Sequence, residues 1–480
     1  MSGVAGPLGG RPGGALHRGS TTEDRLELDP VPRAMTDPTP TPATPTPDPA
    51  ALLRSRSYAT LLVFGAILGV PVATVAYFFL KGVAEVQQYV YGTLPGELGF
   101  DSQPSWWSIP ILALSGLLVA LTIRHLPGTA GHKPAEGFKA SGPVRPIDLP
   151  GIVVASFATL SLGVVLGPEA PLIAIGSGLG VLAVHLLKRD APTMASVVIG
   201  AAGSFAAIST LLGSPLPAAF LMMEVVGLGG PMLAVVLMPG LLAAGIGSLI
   251  FVGLGDWTGF GTFSLAVPDI PPVGSPDLPE FLWAVAIGLA AAIVGLGLKR
   301  LSLLLQPIVE RRMVALMPIA GVAIGVLVLL FVEVTGKSSA EVLFSGQDQL
   351  PGLIEGAAGW SVGALLMVVV CKGLAYALSL SSFRGGPIFP SMFIGAAGGI
   401  ALSHLPGLPL VAGAAMGIGA LMVAMLGLPL TSVLIVTLFL QGDGLDLLPV
   451  VIVAVVVSYV VTAWITAPPS PAADTEPAAA

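Results

Sequence analysis

Charge is what this 480-residue chain has least of. Asp, Glu, Lys and Arg together make up 10% of it, against about 25% in a soluble domain. A water-soluble globular fold is thereby excluded for most of its length. Cysteine occurs once, as Cys371 in an apolar segment, so neither a disulfide framework nor a thiolate metal site is available. The His-Glu-x-x-His, Gly-x-Ser-x-Gly and paired Asp-rich motifs are all missing, so the chain reads as no enzyme, with no metal and no cofactor. No apolar h-region opens the chain, so no secretory signal peptide is read there. The formal charge is −7, and no nucleic acid partner is expected.

What is present is apolar sequence, with 54% of residues hydrophobic and a mean hydropathy of +0.91. Uncharged runs cover 58–80, 103–123, 149–168, 191–223, 281–298, 313–332 and 447–473, mostly long enough to span a bilayer. The stretch 385–442 carries no Asp, Glu, Lys or Arg over 58 residues (442 − 385 + 1). One helix cannot use that length, so the chain must fold back at breaks such as Leu405-Pro-Gly-Leu-Pro409 and Gly427-Leu-Pro429. With 62 Gly and 44 Pro, many short, tilted or half-spanning helices are expected, since broken backbone at membrane depth must be satisfied by protein or by a water-filled cavity. Residues 1–56, rich in Ser, Thr, Pro and Gly, read as a disordered tail, 57–466 as the membrane domain and 467–480 as a second tail. Arg54 and Arg56 before the first span favour a cytoplasmic N-terminus.

One phrase occurs twice. Gly167-Pro-Glu-Ala-Pro-Leu-Ile-Ala-Ile-Gly-Ser-Gly-Leu-Gly180 returns as Gly386-Pro-Ile-Phe-Pro-Ser-Met-Phe-Ile-Gly-Ala-Ala-Gly-Gly399, with six of fourteen positions identical. Other landmarks repeat at similar offsets: Lys81 and Lys299 at 218 (299 − 81), the Gly-Pro phrase at 219 (386 − 167), Gly213-Ser-Pro-Leu216 and Gly427-Leu-Pro-Leu430 at 214 (427 − 213). The spacing predicts one duplicated unit, about 58–255 and 279–466. Paired interruptions in two halves of a membrane protein point to a midplane substrate site. Parallel and inverted repeats both remain open at this stage.

At Gly167-Pro-Glu-Ala-Pro171 and Gly386-Pro-Ile-Phe-Pro390 the chain resembles the CLC family of chloride channels and chloride/proton antiporters. The family's patterns are Gly-Arg/Lys-Glu-Gly-Pro in the first half and Gly-x-Phe-x-Pro in the second, and the resemblance spans about 58–466. It implies an all-α integral membrane protein, an inverted repeat of two halves with about eighteen helical segments. It further implies a homodimer in the plasma membrane, in contact with lipid, with one anion pathway per subunit. Chloride or a similar small anion would be carried, with protons as well if the chain resembles the family's antiporters. A helix N-terminus offers roughly +0.5 charge and free N–H donors, strong enough to replace water around an anion and weak enough to release it.

The resemblance assigns Glu169 as a gate whose carboxylate competes with the anion, and places backbone donors at Gly167, Glu169, Ala170, Ile388 and Phe389. Glu224 aligns with the first acid ending a family helix; the next position, an inner proton-relay glutamate in antiporters, is Val225 here. Glu224 could relay protons or cap structure. The family's Gly-Ser-Gly-Ile-Pro motif survives only as Thr129-Ala-Gly-His-Lys133, so its serine hydroxyl is lost at Ala130, with Gly131, His132 and Lys133 beside it in the inner vestibule. Pro387 removes one backbone donor, and the anion-contacting tyrosine of the last family helix aligns with Ser470, leaving Tyr459 as the nearby aromatic hydroxyl. Lys372, inside an apolar run, either adds positive potential to the route or snorkels to an interface.

A looser site with fewer donors is therefore expected, and passive, Glu169-gated anion conduction leads. Proton-coupled anion antiport is the alternative, and a sodium-coupled transporter of organic solutes is the alternative of another class.

Overall fold

The computed structural model describes residues 53–137, 142–227, 231–259, 274–440 and 444–466. The two predicted tails, apart from 53–56, lie outside these residues, as does Ser470. Fourteen helices of eleven or more residues are found among them. In chain order they are α1 (Arg56–Gln88), α2 (Ser108–His125), α3 (Leu149–Ser161), α4 (Glu169–Leu187), α5 (Thr193–Leu212), α6 (Pro215–Val226), α7 (Pro231–Thr258), α8 (Leu278–Arg311), α9 (Met313–Thr335), α10 (Val362–Ser382), α11 (Ile388–Leu402), α12 (Leu410–Leu426), α13 (Pro429–Phe439) and α14 (Leu448–Thr466).

Nine helical stretches among the described residues are long and apolar enough to cross a membrane. Others are too short: at 1.5 Å per residue the 15 residues of α11 reach only about 22 Å, less than the roughly 30 Å hydrocarbon core. The sequence stops them where the breaks were read. Gly213 (φ 63°) and Gly427 (φ 72°) close α5 and α12 in the left-handed conformation that glycine alone adopts freely. Each occupies the same landmark in its half.

Seven helices fall in each half, and their packing is mirrored. The pairs α4·α5, α5·α7, α1·α7 and α1·α5 recur as α11·α12, α12·α14, α8·α14 and α8·α12. Gly176 of α4 lies against the backbone of Gly203 in α5, and Gly395 of α11 against that of Gly417 in α12.

Across the halves, equivalent helices meet one another: α2 with α9, and α6 with α13. Gly116 abuts the Met317 backbone while Gly321 abuts that of Leu112, the same separation of 205 in both cases (321 − 116 and 317 − 112). Residue i meeting j′ while j meets i′ is the mark of a two-fold relation. These contacts run from 112 to 116 on α2 and from 321 to 317 on α9, so two equivalent spanning helices are antiparallel and the repeat is inverted, one of the two alternatives that the sequence left open.

Candidate anion site

The two copies of the repeated phrase touch. Gly167 N–H donates to the Gly386 carbonyl at 2.7 Å and Gly386 N–H to the Gly167 carbonyl at 2.6 Å, in an isolated antiparallel bridge. Just beyond it α4 begins at Glu169 and α11 at Ile388, with Pro168 and Pro387 as their N-caps. Pro171 and Pro390 sit in the first turns, where a missing N–H breaks no helical bond. Two helix N-termini thereby converge on one point inside the protein.

The Glu169 side chain occupies that point and is fully buried. Its Oε1 accepts the Phe389 N–H at 3.0 Å, and the amides of Ile388 and of Glu169 itself face the same carboxylate. Oε2 has no hydrogen-bond partner. A Cβ added at Gly167 or Gly386 would collide with these oxygens, so only glycine leaves room for the seat. A hydrogen bond to a charged acceptor contributes about 1.5–3 kcal/mol, whereas a buried ion without a full shell costs several kcal/mol. The carboxylate is held shallowly, by groups that would serve any small anion equally well.

Sequence reasoning missed two residues here. Tyr376 of α10 is buried beside Glu169, with its hydroxyl donating to the Pro387 carbonyl at 2.9 Å. Tyr459, the aromatic hydroxyl singled out by sequence, is instead exposed on α14. Arg384, three residues ahead of Pro387, is buried too. A tyrosine in an apolar helix looks like packing, and Arg384 could be read only as the last charge before the uncharged stretch.

Below the seat lies a cavity of about 720 Å³ whose lining includes Ala170, Pro171, Ala130, Gly131, His132, Val225, Arg384 and Gly385. The loop that replaces the family serine runs through left-handed backbone at Gly128 (φ 80°), Thr129 (φ 51°), Ala130 (φ 58°) and Gly131 (φ 89°). Non-glycine residues persist in that region only where their surroundings over-determine it; here the Thr129 carbonyl is held by Arg384.

The sequence profile described as voltage gated chloride channel matches residues 115–463. The chain belongs to the CLC family. The ion-transport protein YfeO of Escherichia fergusonii is 30% identical over 363 residues, covering 74% of this chain and 82% of that protein, and YfeO of Escherichia coli SMS-3-5 matches to the same extent. Among solved structures, a slow cyanobacterial Cl⁻/H⁺ antiporter is similar with a TM-score of 0.69 and 19% identity, covering 85% of this chain and 95% of its own. A CLC-type fluoride/proton antiporter gives a TM-score of 0.65 at 20% identity over 84% and 95%. This CLC protein is a multi-pass membrane protein, and its family carries anions across membranes.

The remaining candidate residues fall into clear positions within the CLC fold. Val225, the position that the family resemblance aligns with the relay acid, lines the cavity. Glu224 points elsewhere: its two oxygens accept the Leu430 N–H at 2.8 Å and the Thr431 N–H at 2.7 Å, capping α13 from the other half. Lys133 is not part of the cavity wall and is bound to Glu310 at 2.7 Å. The arginines among the described cavity-lining residues are Arg145, which is paired with Asp148, and Arg384.

Lys372 does not snorkel. It is fully buried, and its Nζ donates to the carbonyls of Glu341 (3.0 Å), Val342 (3.2 Å) and Leu343 (3.0 Å) over the Phe393 ring. It is not in the cavity wall either; it holds a loop in which burial lifts the Glu341 carboxyl above its usual range, against the pull of Lys372 and Lys337.

Proposed function

We propose that this protein conducts chloride or a similar small anion passively, with Glu169 as the gate. The observation that carries this reading is the carboxylate seated on the amides at the α11 N-terminus, as a bound anion would be. Protonation removes its charge and with it the attraction to those amides, so the side chain can swing out and an anion can take its place. Conduction rather than coupled antiport is supported by Val225, which cannot hold a proton where the family's relay acid would stand. The acid lining the cavity among the described residues, Asp148, is tied to Arg145 at 2.9 Å.

We further assign a homodimer in the plasma membrane with a cytoplasmic N-terminus, following the family resemblance and the arginines before α1.

Efflux from chloride-loaded liposomes, measured at two pH values, tests the gate. Flux through the wild type should rise as pH falls, and Glu169→Gln should hold flux near the acid level at both. A folded mutant with unchanged pH dependence overturns the gate. A reversal potential that follows the proton gradient would replace conduction with antiport.

A further inference from the structure

Arg384 is a cation buried against the cavity without a counter-ion of its own. It is 8% exposed. Nε and Nη2 donate to the Thr129 carbonyl at 3.3 Å each, and Nη1 to the Phe383 carbonyl at 3.2 Å. A guanidinium has five N–H donors, so one remains on each of Nη1 and Nη2. Among the described residues no carboxylate lies within ion-pair distance of it. The acids that influence it, Glu310 and Glu136, are shared with Lys133, at 2.7 and 3.8 Å, and with Gln306, which donates to both.

Other polar side chains lining the cavity have protein partners. Ser156 donates to the Ile152 carbonyl at 2.6 Å and Ser204 to the Ile173 carbonyl at 3.0 Å. The Ser177 hydroxyl oxygen accepts the Val144 N–H at 3.2 Å. His132 Nε2 lies 2.6 Å from the Gly137 carbonyl, and Arg145 binds Asp148 through two nitrogens. Much of the remaining wall is apolar, including Ile152, Ile173, Val197, Met222 and Val226. A charge in such surroundings attracts an anion far more strongly than it would in water.

We propose that Arg384 is the anion-binding and selectivity-determining residue of this cavity, and that its preferred ligand is a small planar oxyanion of the nitrate class. A guanidinium fork matches two oxygens of a planar anion in a way that it cannot match a sphere. The cavity, about 720 Å³, has ample room for the larger ion. Apolar walls also favour an anion that gives up its water easily. The anion waits here, next to Gly385, before it competes with Glu169 for the amide seat. The inference rests on the reading of the cavity as an anion route.

The full chain in liposomes should pass nitrate several-fold faster than chloride. Arg384→Lys, which keeps the charge and loses the fork, should lower the nitrate-to-chloride flux ratio by about tenfold while chloride flux persists. Calorimetric titration of the detergent-solubilised wild type with sodium nitrate should show tighter binding than with sodium chloride, and Arg384→Gln should lose it. A folded Arg384→Lys protein with the wild-type ratio overturns the inference, as does a wild type that binds chloride the more tightly. Should Arg384→Gln not fold, the Arg384→Lys ratio and the wild-type titration decide. If liposomes pass no anion but nitrate binding is present and lost in Arg384→Lys, conduction fails while the Arg384 site stands.

Discussion

At the scale of single residues, the proposed gate turns on how little space surrounds Glu169. Its carboxylate rests against Gly167 and Gly386, and a methyl group at Gly386 would overlap Oε2 and crowd the Ala170 nitrogen. Gly386→Ala should therefore unseat the carboxylate, giving efflux with a blunted pH response and a loss of stability of about 1–3 kcal/mol, as overpacking commonly does. Thermal unfolding in detergent and two-pH efflux check both parts; a normal pH response in a folded mutant would show that the seat tolerates the methyl. Glu169 could be found by sequence because it is the single acid in a repeated uncharged phrase. Arg384 and Tyr376 could not, because nothing in their spacing marks them. Arg384 becomes a site residue only when the 128–131 loop, some 255 positions away, supplies the carbonyl that orients it.

At the scale of elements, the short helices are the working parts. Half-length α11 begins at the site, and its first amides have no helical acceptor, so they are free to bind an anion. The same physics operates at α13, where Glu224 supplies the anion permanently. Sequence placed Glu224 at the end of its helix and favoured a cap over a relay, although an acid at a helix end serves either. Geometry favours the cap. Glu224→Ala should lower stability by about 1 kcal/mol, as the loss of an N-cap does, and leave the pH dependence of chloride efflux where it was. A flattened pH profile in that mutant would return Glu224 to the proton pathway.

At the scale of the whole molecule, the two-fold relation between halves creates the site, because each half contributes one helix N-terminus and one glycine of the Gly167–Gly386 bridge. The halves differ at the proposed gate: Glu169 has Ile388 as its counterpart, so only one half places a carboxylate there. Val225 lies on the cavity wall, and the acid among the described lining residues, Asp148, is tied to Arg145. Val225→Glu alone should therefore not install coupling. Proton uptake in stoichiometric ratio to chloride efflux, in a pH-electrode assay on that mutant, would contradict this.

The chain by itself determined its solvent, its repeat and the place of its proposed gate. Scarce charge forces the fold into lipid, Gly and Pro fix where helices must break, and a duplicated phrase with one acid marks the candidate site. These are local properties, written in composition and spacing. Only the tertiary structure decided that the repeat is inverted, that Lys372 is buried under carbonyls, that Lys133 is spent on Glu310, and that Arg384 faces the cavity. Each of those depends on which distant backbone groups arrive beside a side chain, and a buried charge takes its role from the partners that packing gives it.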